Sequence, residues 1–406
     1  MFKTILEVAY KNAFLRKSRA ILLILMIGLS MGVMVGLEGL YNGMSVHMID
    51  KSMRSDSGEI SLYAKEYRLE NDIKYRIEDA QTKVAGLAKI PGVNVVLRRL
   101  QIEGLAQTAA KSNPAKVIGI NLNNEEKFGK FSDFLKSGEL DFGKNGAFIG
   151  SGLAKKLKIK IGSKVIFTTQ DSSLEIQSVA LRIKAIIQTS NLSLDDRGIY
   201  LPVERAAALM AVDPQSATQI SIRSDSKDIS LLQKQIEKLF PDLEVYTFME
   251  LYPQLKQMQS MMNIFNAITF AIVMIVVFIG ILGVMYVSIL DRIREFGILL
   301  SIGYAYRYIR IQIIAEAFFL GLAGYLLGSL IGFLLLSYLK IYGLDLSKFA
   351  EGMESFGMSS TLYATIESTY FVSTFFAIVI ASVLSVIPPL RKIKKLNPVE
   401  VIRDAG

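Results

Sequence analysis

The sequence predicts an α-helical membrane protein with four transmembrane helices and one large α+β domain outside the bilayer. Three observations predict it. Of the 406 residues, 51% are hydrophobic, and they pool instead of spreading evenly. Four apolar runs, at 21–40, 263–290, 311–339 and 370–388, are each long enough to cross a hydrocarbon core, which takes roughly 20 helical residues. Between the first and second runs, residues 41–262 have ordinary globular composition.

The N-terminal tail, 1–20, is basic, and the run at 21–40 follows it. A signal peptide would have an apolar core of only ~7–15 residues and a small-residue cleavage site. This run is longer and no such site follows, so it is expected to span the membrane. It carries Gly28, Gly32 and Gly36 on one helical face, and the run at 311–339 carries Gly324, Gly328 and Gly332 in the same pattern. Such faces let helix backbones approach closely, so packing is their expected role.

The large domain, 41–262, reads as strand–helix–strand at each end. Residues 58–65 alternate as a strand, 70–90 show helical spacing at Ile73, Ile77, Val84 and Leu87, and 93–100 read as a second strand. At the other end 219–224 is a strand, 228–240 a helix and 243–248 a strand. Two such units, about 45–104 and 214–250, can interleave into a split βαβ sheet. The stretch 105–213 is then an inserted, β-rich subdomain, with strands at 115–120, 146–150, 164–169 and 179–187 and short helices near 152–158 and 202–211.

Lysine and arginine bias sets the orientation. The N-terminal tail, the 291–310 loop and the 389–406 tail are rich in basic residues, whereas the 340–369 loop holds only Lys340 and Lys348. Both termini and the 291–310 loop are therefore expected on the cytoplasmic side, and the large domain and the 340–369 loop on the other. Much of the net charge of +9 follows from this topology and requires no nucleic acid partner.

Little points to chemistry. There is no cysteine, which excludes disulfides, thiolate metal sites and cysteine nucleophiles. The only histidine, His47, sits at the expected membrane edge and reads as an interfacial polar residue. Residues 138–145 match G-x-x-x-x-G-K, but Asn145 stands where a phosphate-binding loop needs Ser or Thr. Asp195, Asp196 and Arg197 read as a structural turn. Glu38 and Glu316 lie inside spans, where carboxylates are functional candidates by default. Glu316 is near the basic end of its span, and snorkelling or a partner among Arg307 and Arg310 is expected. No chain of acids crosses the membrane, so the driving energy for any transport is expected from elsewhere. The segment after the second span is the candidate for receiving it. Phe296, Ile298, Leu299 and Ile302 are too few to span, but suit a short amphipathic helix that docks on a soluble partner or lies on lipid.

The stretch REFGILLSIGYAYRYIRIQIIAEAFFLGLAGYLLGSLIG (294–332) resembles the RE-x-GIL…G…E…G-x-x-G-x-x-x-G signature of FtsX-like ABC permeases. The ending PPLRKIKKLNPVEVIR (388–403) is similar to that family's closing Pro, basic stretch and NP-x-x-x-(L/I)R. The start (9–44) resembles its N-x-x-R-x-x-R entry into the first span, and 146–167 resembles a G-x-x-LA-x-x-L segment of its external domains. The resemblance covers essentially the whole chain. It implies a type VII, mechanotransmitting permease of the MacB type, paired with a second permease subunit as a homo- or heterodimer. The external domain would be porter-like, in the bacterial inner membrane with its large domain periplasmic. A separate cytoplasmic ATPase would hold ATP and Mg, and this chain no cofactor or metal. The coupling residues would be Arg292, Arg294, Glu295, Phe296, Gly297, Ile298, Ser301, Ile302 and Gly303.

Within the superfamily, layout is most similar to the lipoprotein-releasing permeases (LolC/LolE), which work with a LolD-like ATPase. The macrolide exporters usually carry a fused N-terminal ATPase, and the cell-division branch has a smaller external part. Carried over by position, the lipoprotein acyl chains would meet Leu37, Leu40, Met44 and Met48 after span one, and Met258, Met261, Met262 and Phe265 entering span two. Methionine is unbranched and adapts to varied chains; packing of the dimer is the other role open to these residues. One departure stands out: TTQDSSLEIQS (168–178) is short where one subunit of that system recruits a periplasmic chaperone. The resemblance leaves two further functions open, MacB-like export of amphiphiles or peptides with an adaptor, and FtsX-like signalling to a periplasmic partner.

Overall fold

The computed structural model describes residues 2–189, 191–226, 228–349, 352 and 361–394. Part of the expected 340–369 loop, and the 395–406 part of the C-terminal tail with its NP-x-x-x-IR ending, lie outside the described residues. The chain starts with α1 (Phe2–Leu15) and α2 (Lys17–Ser55). Next come β1 (Ile60–Ala64), α3 (Tyr67–Glu70), α4 (Ala80–Leu87), β2 (Val93–Gln107), β3 (Ser112–Ile120), α5 (Leu122–Gly129), β4 (Leu135–Gly138), β5 (Gly146–Gly150) and α6 (Ser151–Leu157). They are followed by β6 (Lys164–Gln170), β7 (Ile176–Ile187), α7 (Leu192–Arg197), β8 (Gly198–Pro202), α8 (Val203–Met210), β9 (Gln219–Ser224), α9 (Ile229–Leu239), β10 (Leu243–Thr247) and α10 (Phe248–Leu251). The chain continues through α11 (Pro253–Asp291), α12 (Ile293–Ser301), α13 (Tyr306–Tyr342), a ribbon of β11 (Leu344–Asp345) and β12 (Thr361–Leu362), α14 (Ser368–Ser385) and α15 (Ile387–Lys394).

The described residues fall into two compact units, a helical one (to Ser45, Gln259–Asp345 and from Thr361) and a largely β one (Val46–Met258 with the described residues of Leu346–Ser360). In the helical unit, α2, α11, α13 and the helix over Ser368–Ile393 are long and apolar enough to cross a membrane. Helices α2 and α11 run 39 residues each, well past the ~20 that a bilayer core needs. No proline falls within Lys17–Ser55 to end α2 at the expected boundary, and Pro253 opens α11 at a first-turn position that needs no amide hydrogen. Pro388 and Pro389 fall just after α14 and mark its end.

The glycine faces of α2 and α13 interlock. A Cβ on Gly28, Gly32 or Gly36 would fall 2.9, 2.7 or 2.5 Å from Leu327, Ile331 or Leu335. In return, a Cβ on Gly324, Gly328 or Gly332 would fall 2.7, 2.8 or 3.0 Å from Ile27, Met31 or Val35. Each helix thus offers a bare groove to the other's branched or long side chains.

In the large domain, β1–α4–β2 and β9–α9–β10 interleave as β10–β1–β9–β2, all neighbours antiparallel, which is the split βαβ sheet. Strand β2 then leaves it. Its residues to Arg99 pair with β9, and those from Leu100 pair with β3. From there β2, β3, β8, β5, β7 and β6 form a closed ring, because β6 pairs with both β7 and β2. Val117, Ile149, Phe167, Ile183 and Ile199 fill one core of this subdomain together with α6 and α8.

Several local expectations are corrected. The 70–90 helix forms only over Ala80–Leu87. Asn71 adopts a left-handed turn and the Asp72 carboxylate accepts from the Lys74 amide at 2.9 Å, so local side-chain bonds outcompete the helix. Ile73 and Ile77 are buried off the helix, and Ile77 bridges to Ala217. The Asp195–Arg197 turn is the end of α7, capped by Asn191, and Asp195 is buried with its carboxylate bonded to the Thr189 amide and hydroxyl. Strands β4 and β8 and helix α5 are additional to the sequence reading.

A buried ion pair sits where β2 changes sheet. Arg99 is 2% exposed and makes paired bonds of 2.7 and 2.6 Å to Glu125 of α5. Its remaining nitrogen bonds the carbonyl of Asp56 at 2.8 Å. The Asp56 carboxylate in turn accepts from the Tyr252 hydroxyl. Asp56 directly follows α2 and Tyr252 directly precedes α11, so one cluster fixes both of these chain positions to the sheet. Burial opposes the Arg99 charge, but the Glu125 carboxylate outweighs it and raises the guanidinium pKa. Burial, reinforced by Asp56, holds the Tyr252 hydroxyl neutral far above its usual range.

Two outcomes are expected. Arg99→Ala leaves Glu125 buried without a counter-charge and costs about 3–5 kcal/mol in unfolding, whereas Arg99→Met with Glu125→Leu recovers most of it. Gly328→Val overpacks the α2–α13 groove and costs about 1–3 kcal/mol, while Gly283→Ala, with nothing within 4 Å of its added Cβ, leaves the thermal midpoint in detergent unchanged.

Candidate functional site

The candidate site forms where α11 ends and α12 begins. Asp291 closes α11 and takes ion pairs from Arg16 and Arg19, the latter at 2.5 Å, which ties the end of α11 to the α1–α2 junction. The next residue, Arg292, breaks the helix and turns inward. One of its terminal nitrogens reaches both oxygens of Glu316 on α13, at 3.0 and 3.1 Å. Its Nε bonds Glu295 at 3.2 Å, and its guanidinium stands 5.1 Å from the centre of the Phe296 ring.

Glu316 is the hub. Its side chain is 4% exposed, and it also accepts from Asn12 of α1 at 3.2 Å and from Gln312 one turn earlier at 3.1 Å. A cavity of about 240 Å³ beside it is lined by Asn12, Arg16, Arg19, Ser288 and Arg292. A buried carboxylate with three donor groups, one of them a direct counter-charge, is a fixed structural node, because loss of any partner exposes the desolvation cost of the charge. Through it α12 is joined to α13 and α1.

Helix α12 presents two faces. Phe296 and Gly297 are buried. Arg294, Glu295, Ile298, Ser301, Ile302 and Gly303 are exposed, and their spacing puts them on one side; Ile298 is 55% exposed and Ile302 73%. The helix ends in a Schellman turn, with Gly303 at φ 88° donating to Leu300 at 3.1 Å and Tyr304 donating to Leu299 at 2.9 Å. Any Cβ at 303 would strain that stop.

The nine coupling residues named from sequence therefore separate. Six lie on the outer face, while Arg292 turns inward to Glu316 and Phe296 and Gly297 are buried. Glu316 does not pair with Arg307 or Arg310: Arg307 lies over the Tyr308 ring, Arg310 is exposed, and Arg292, 24 positions earlier in the chain, reaches Glu316 instead. Asn12 and Gln312 were not singled out by sequence. The i, i+4 spacing of Gln312 and Glu316 was the available signal for one of them.

The eight residues suggested for acyl chains have different surroundings. Leu37 lines a cavity of about 330 Å³ between α2, α11 and α14, and Met262 lines an adjoining one of about 150 Å³. Leu40 and Met44 are half-buried, Met261 and Phe265 are exposed on α11, and Met48 (buried) and Met258 (half-buried) belong to the large-domain unit. The 138–145 segment leads from β4 through an Asp141–Gly143 turn into strand β5, so no helix N-terminus follows it. Residues 168–178 form the β6–β7 hairpin, whose turn is closed by Asp171 accepting from the Ser173 and Glu175 amides.

Residues 20–239 match the family model for the MacB-like periplasmic core domain, and 267–398 that for the FtsX-like permease C-terminal region. The chain is 21% identical over 340 residues to the lipoprotein-releasing system transmembrane protein LolE of Haemophilus influenzae, covering 81% of this chain and 78% of that one. It is 22% identical over 416 residues to the uncharacterized ABC transporter permease MJ1507 of Methanocaldococcus jannaschii, covering 98% and 97%. Among solved structures it is similar to the extracellular domain of the noncanonic ABC-type transporter YknZ from Gram-positive bacteria (TM-score 0.33, 16% identity, 46% of this chain and 99% of that one). It is also similar to the periplasmic region of MacB from Actinobacillus actinomycetemcomitans (TM-score 0.33, 15% identity, 50% and 92%).

The geometry of the node yields a double-mutant test. Arg292→Ala strands Glu316 and lowers stability by about 3 kcal/mol or more, and Arg292→Met with Glu316→Leu restores most of the loss. Thermal unfolding in detergent, with each single variant and the double, measures the coupling. Additive losses would show that the two side chains do not act as a pair.

Proposed function

The chain belongs to the ABC transporter permeases that join a MacB-like periplasmic core domain to an FtsX-like C-terminal region, and from that premise we propose that it is the membrane subunit of a lipoprotein-releasing complex. Membership implies a partner ATPase and dimerisation with a second permease subunit. On our reading the ATPase is a separate, LolD-like cytoplasmic subunit that holds the ATP and Mg. Both termini and α12 face it, and the large domain is periplasmic.

The observation that carries the coupling part is the two-faced α12. Its outer face, with Ile298 and Ile302 flanked by Arg294, Glu295 and Ser301, suits a small groove on a soluble partner, an apolar centre with a polar rim. Its inner face is locked by Arg292, Phe296 and Gly297. A push on the outer face therefore moves α12 with α13 and α1, instead of being lost in side-chain motion. ATP-driven closure of the ATPase pair supplies that push, and the spans pass it to the periplasmic domain. The cargo would be a lipoprotein drawn from the outer leaflet of the inner membrane for transfer to the outer membrane. The similarity to LolE across 81% of the chain supports this choice of cargo. The short 168–178 hairpin supports a division of labour in which any chaperone is recruited by the second permease subunit.

The test uses tagged protein purified from its native membrane. Ile298→Glu with Ile302→Glu changes only the exposed face, so the thermal midpoint stays at the wild-type value. We expect the wild type to bring down a small ATPase together with acylated lipoproteins, and the variant to retain at most about a tenth of the ATPase, as loss of central apolar anchors typically costs 2 kcal/mol or more. Full retention would remove α12 as the docking site. An ATPase accompanied by a periplasmic adaptor and no lipoprotein would replace release by export.

A further inference from the structure

At the end of the helical bundle away from α12, a second carboxylate lies inside a span under opposite conditions. Glu38 of α2 lines both adjoining cavities between α2, α11 and α14, about 330 and 150 Å³. The two cavities share Glu38, Tyr41, Asn263 and Asn266. The Oε2 atom of Glu38 is buried and has no hydrogen-bond partner among the described residues. Nearby, Glu367 at the start of α14 accepts from Asn42 at 2.6 Å, and Asn42 also donates to the Tyr370 hydroxyl at 2.6 Å. Among the described residues no lysine or arginine forms an ion pair with either carboxylate. The contrast with Glu316 is direct: both border a cavity, but Glu316 is held by Arg292, Asn12 and Gln312, whereas the buried Oε2 of Glu38 has no hydrogen-bond partner among the described residues.

The rest of the lining decides what could fill it. Asn263 and Asn266 lie one turn apart on α11 and make no hydrogen bond among the described residues, so their amides are available to a ligand. Met34, Leu37 and Phe270 supply an apolar wall to the same space. A site with negative charge, spare amides and an apolar side matches a molecule that carries a cation beside a hydrocarbon part. Among the described residues no cluster of three or more metal-ligating side chains forms, which disfavours a bare metal ion. The position within a span favours an amphiphile over a soluble amine.

We propose that this cleft binds the ammonium headgroup of an amphiphile, with the Glu38 carboxylate as its counter-charge and Asn263 and Asn266 as orienting groups. The proposal rests on the reading of the chain as a permease for lipid-modified cargo, and it names the part of the cargo that is read. Two sources share the chemistry: the free α-amino group of an acylated peptide, and the ethanolamine of a membrane phospholipid.

The test is photo-crosslinking of the purified permease in phosphatidylcholine nanodiscs. Three probes carry the same diazirine-bearing acyl chains: a diacylated peptide with a free α-amine, the same peptide N-acetylated, and phosphatidylethanolamine. Crosslinks to α2 and α11 peptides are counted by mass spectrometry. The free-amine peptide should label the wild type strongly and Glu38→Gln about tenfold less, in keeping with loss of a charge-assisted hydrogen bond. The N-acetylated peptide should label both weakly. Labelling by phosphatidylethanolamine as well would assign the site to lipid headgroups, and its absence would assign it to the peptide. Equal labelling by the free and acetylated peptides, or no effect of Glu38→Gln, would overturn the proposal. So would a Glu38→Gln variant that labels normally but loses its dimer in native mass spectrometry, since the carboxylate would then serve the subunit contact. ATPase co-purification, followed in parallel, is expected to be unchanged, so failure here stays separate from failure of the permease reading.

Discussion

The ion pair between Arg292 and Glu316 is the constraint on which the helical unit depends. A carboxylate within a membrane span is costly unless a partner offsets the loss of water. Here the partner comes from the single residue between α11 and α12, so satisfying the charge fixes the break between those helices. Asn12 then places α1, and Asp291, one residue away, places the α1–α2 junction through Arg16 and Arg19. Meeting one electrostatic demand orients four helices, and it leaves the other face of α12 free.

The interlocked glycines work with that node. Without side chains at Gly28, Gly32 and Gly36, or at Gly324, Gly328 and Gly332, α2 and α13 come close enough for dispersion contacts to hold them, which matters where lipid supplies no hydrophobic drive between helices. The large domain uses the same logic in a different setting. Arg99 and Glu125 are buried at the residue where β2 passes from the split βαβ sheet into the closed ring, and the pair recruits Asp56 and Tyr252 at the two ends of the domain. In both units a buried charge is fully partnered where the chain changes element. Glu38 breaks that pattern: among the described residues its buried Oε2 accepts no hydrogen bond, which is the observation behind the proposed ligand site in its cleft.

Much of the fold was legible because its signals are long. Four apolar runs cannot be hidden, and the strand–helix–strand ends of the domain announced themselves through alternation at 58–65 and 219–224 and helical spacing at 228–240. The failures are short or long-range. Strand β8 is five residues of GIYLP, too brief for periodicity to separate from other apolar runs. The 70–79 stretch has helical spacing but is held in turns by Asn71 and Asp72, whose side-chain bonds periodicity does not register. At the site, helical spacing could place Ile298 and Ile302 on one face. It could not tell that Phe296 faces inward, since both faces of α12 are apolar, or that Glu316 would choose an arginine 24 residues back over those nearby. That choice is made by the helical hairpin, which exists only in three dimensions.

The central claim is that α12 moves as one piece with α13 because of the Arg292–Glu316 node. The chain contains no cysteine, so spin labels can be placed without background at Ser301→Cys on α12 and Lys340→Cys near the end of α13. Distances between them would be measured by pulsed electron spin resonance in the complex with its ATPase, without nucleotide and with ATP trapped. The account predicts that trapping leaves this distance unchanged in the otherwise wild-type protein and changes it in Arg292→Met with Glu316→Leu, where α12 is free to move without α13. A change in the wild type as large as that in the double variant would contradict it.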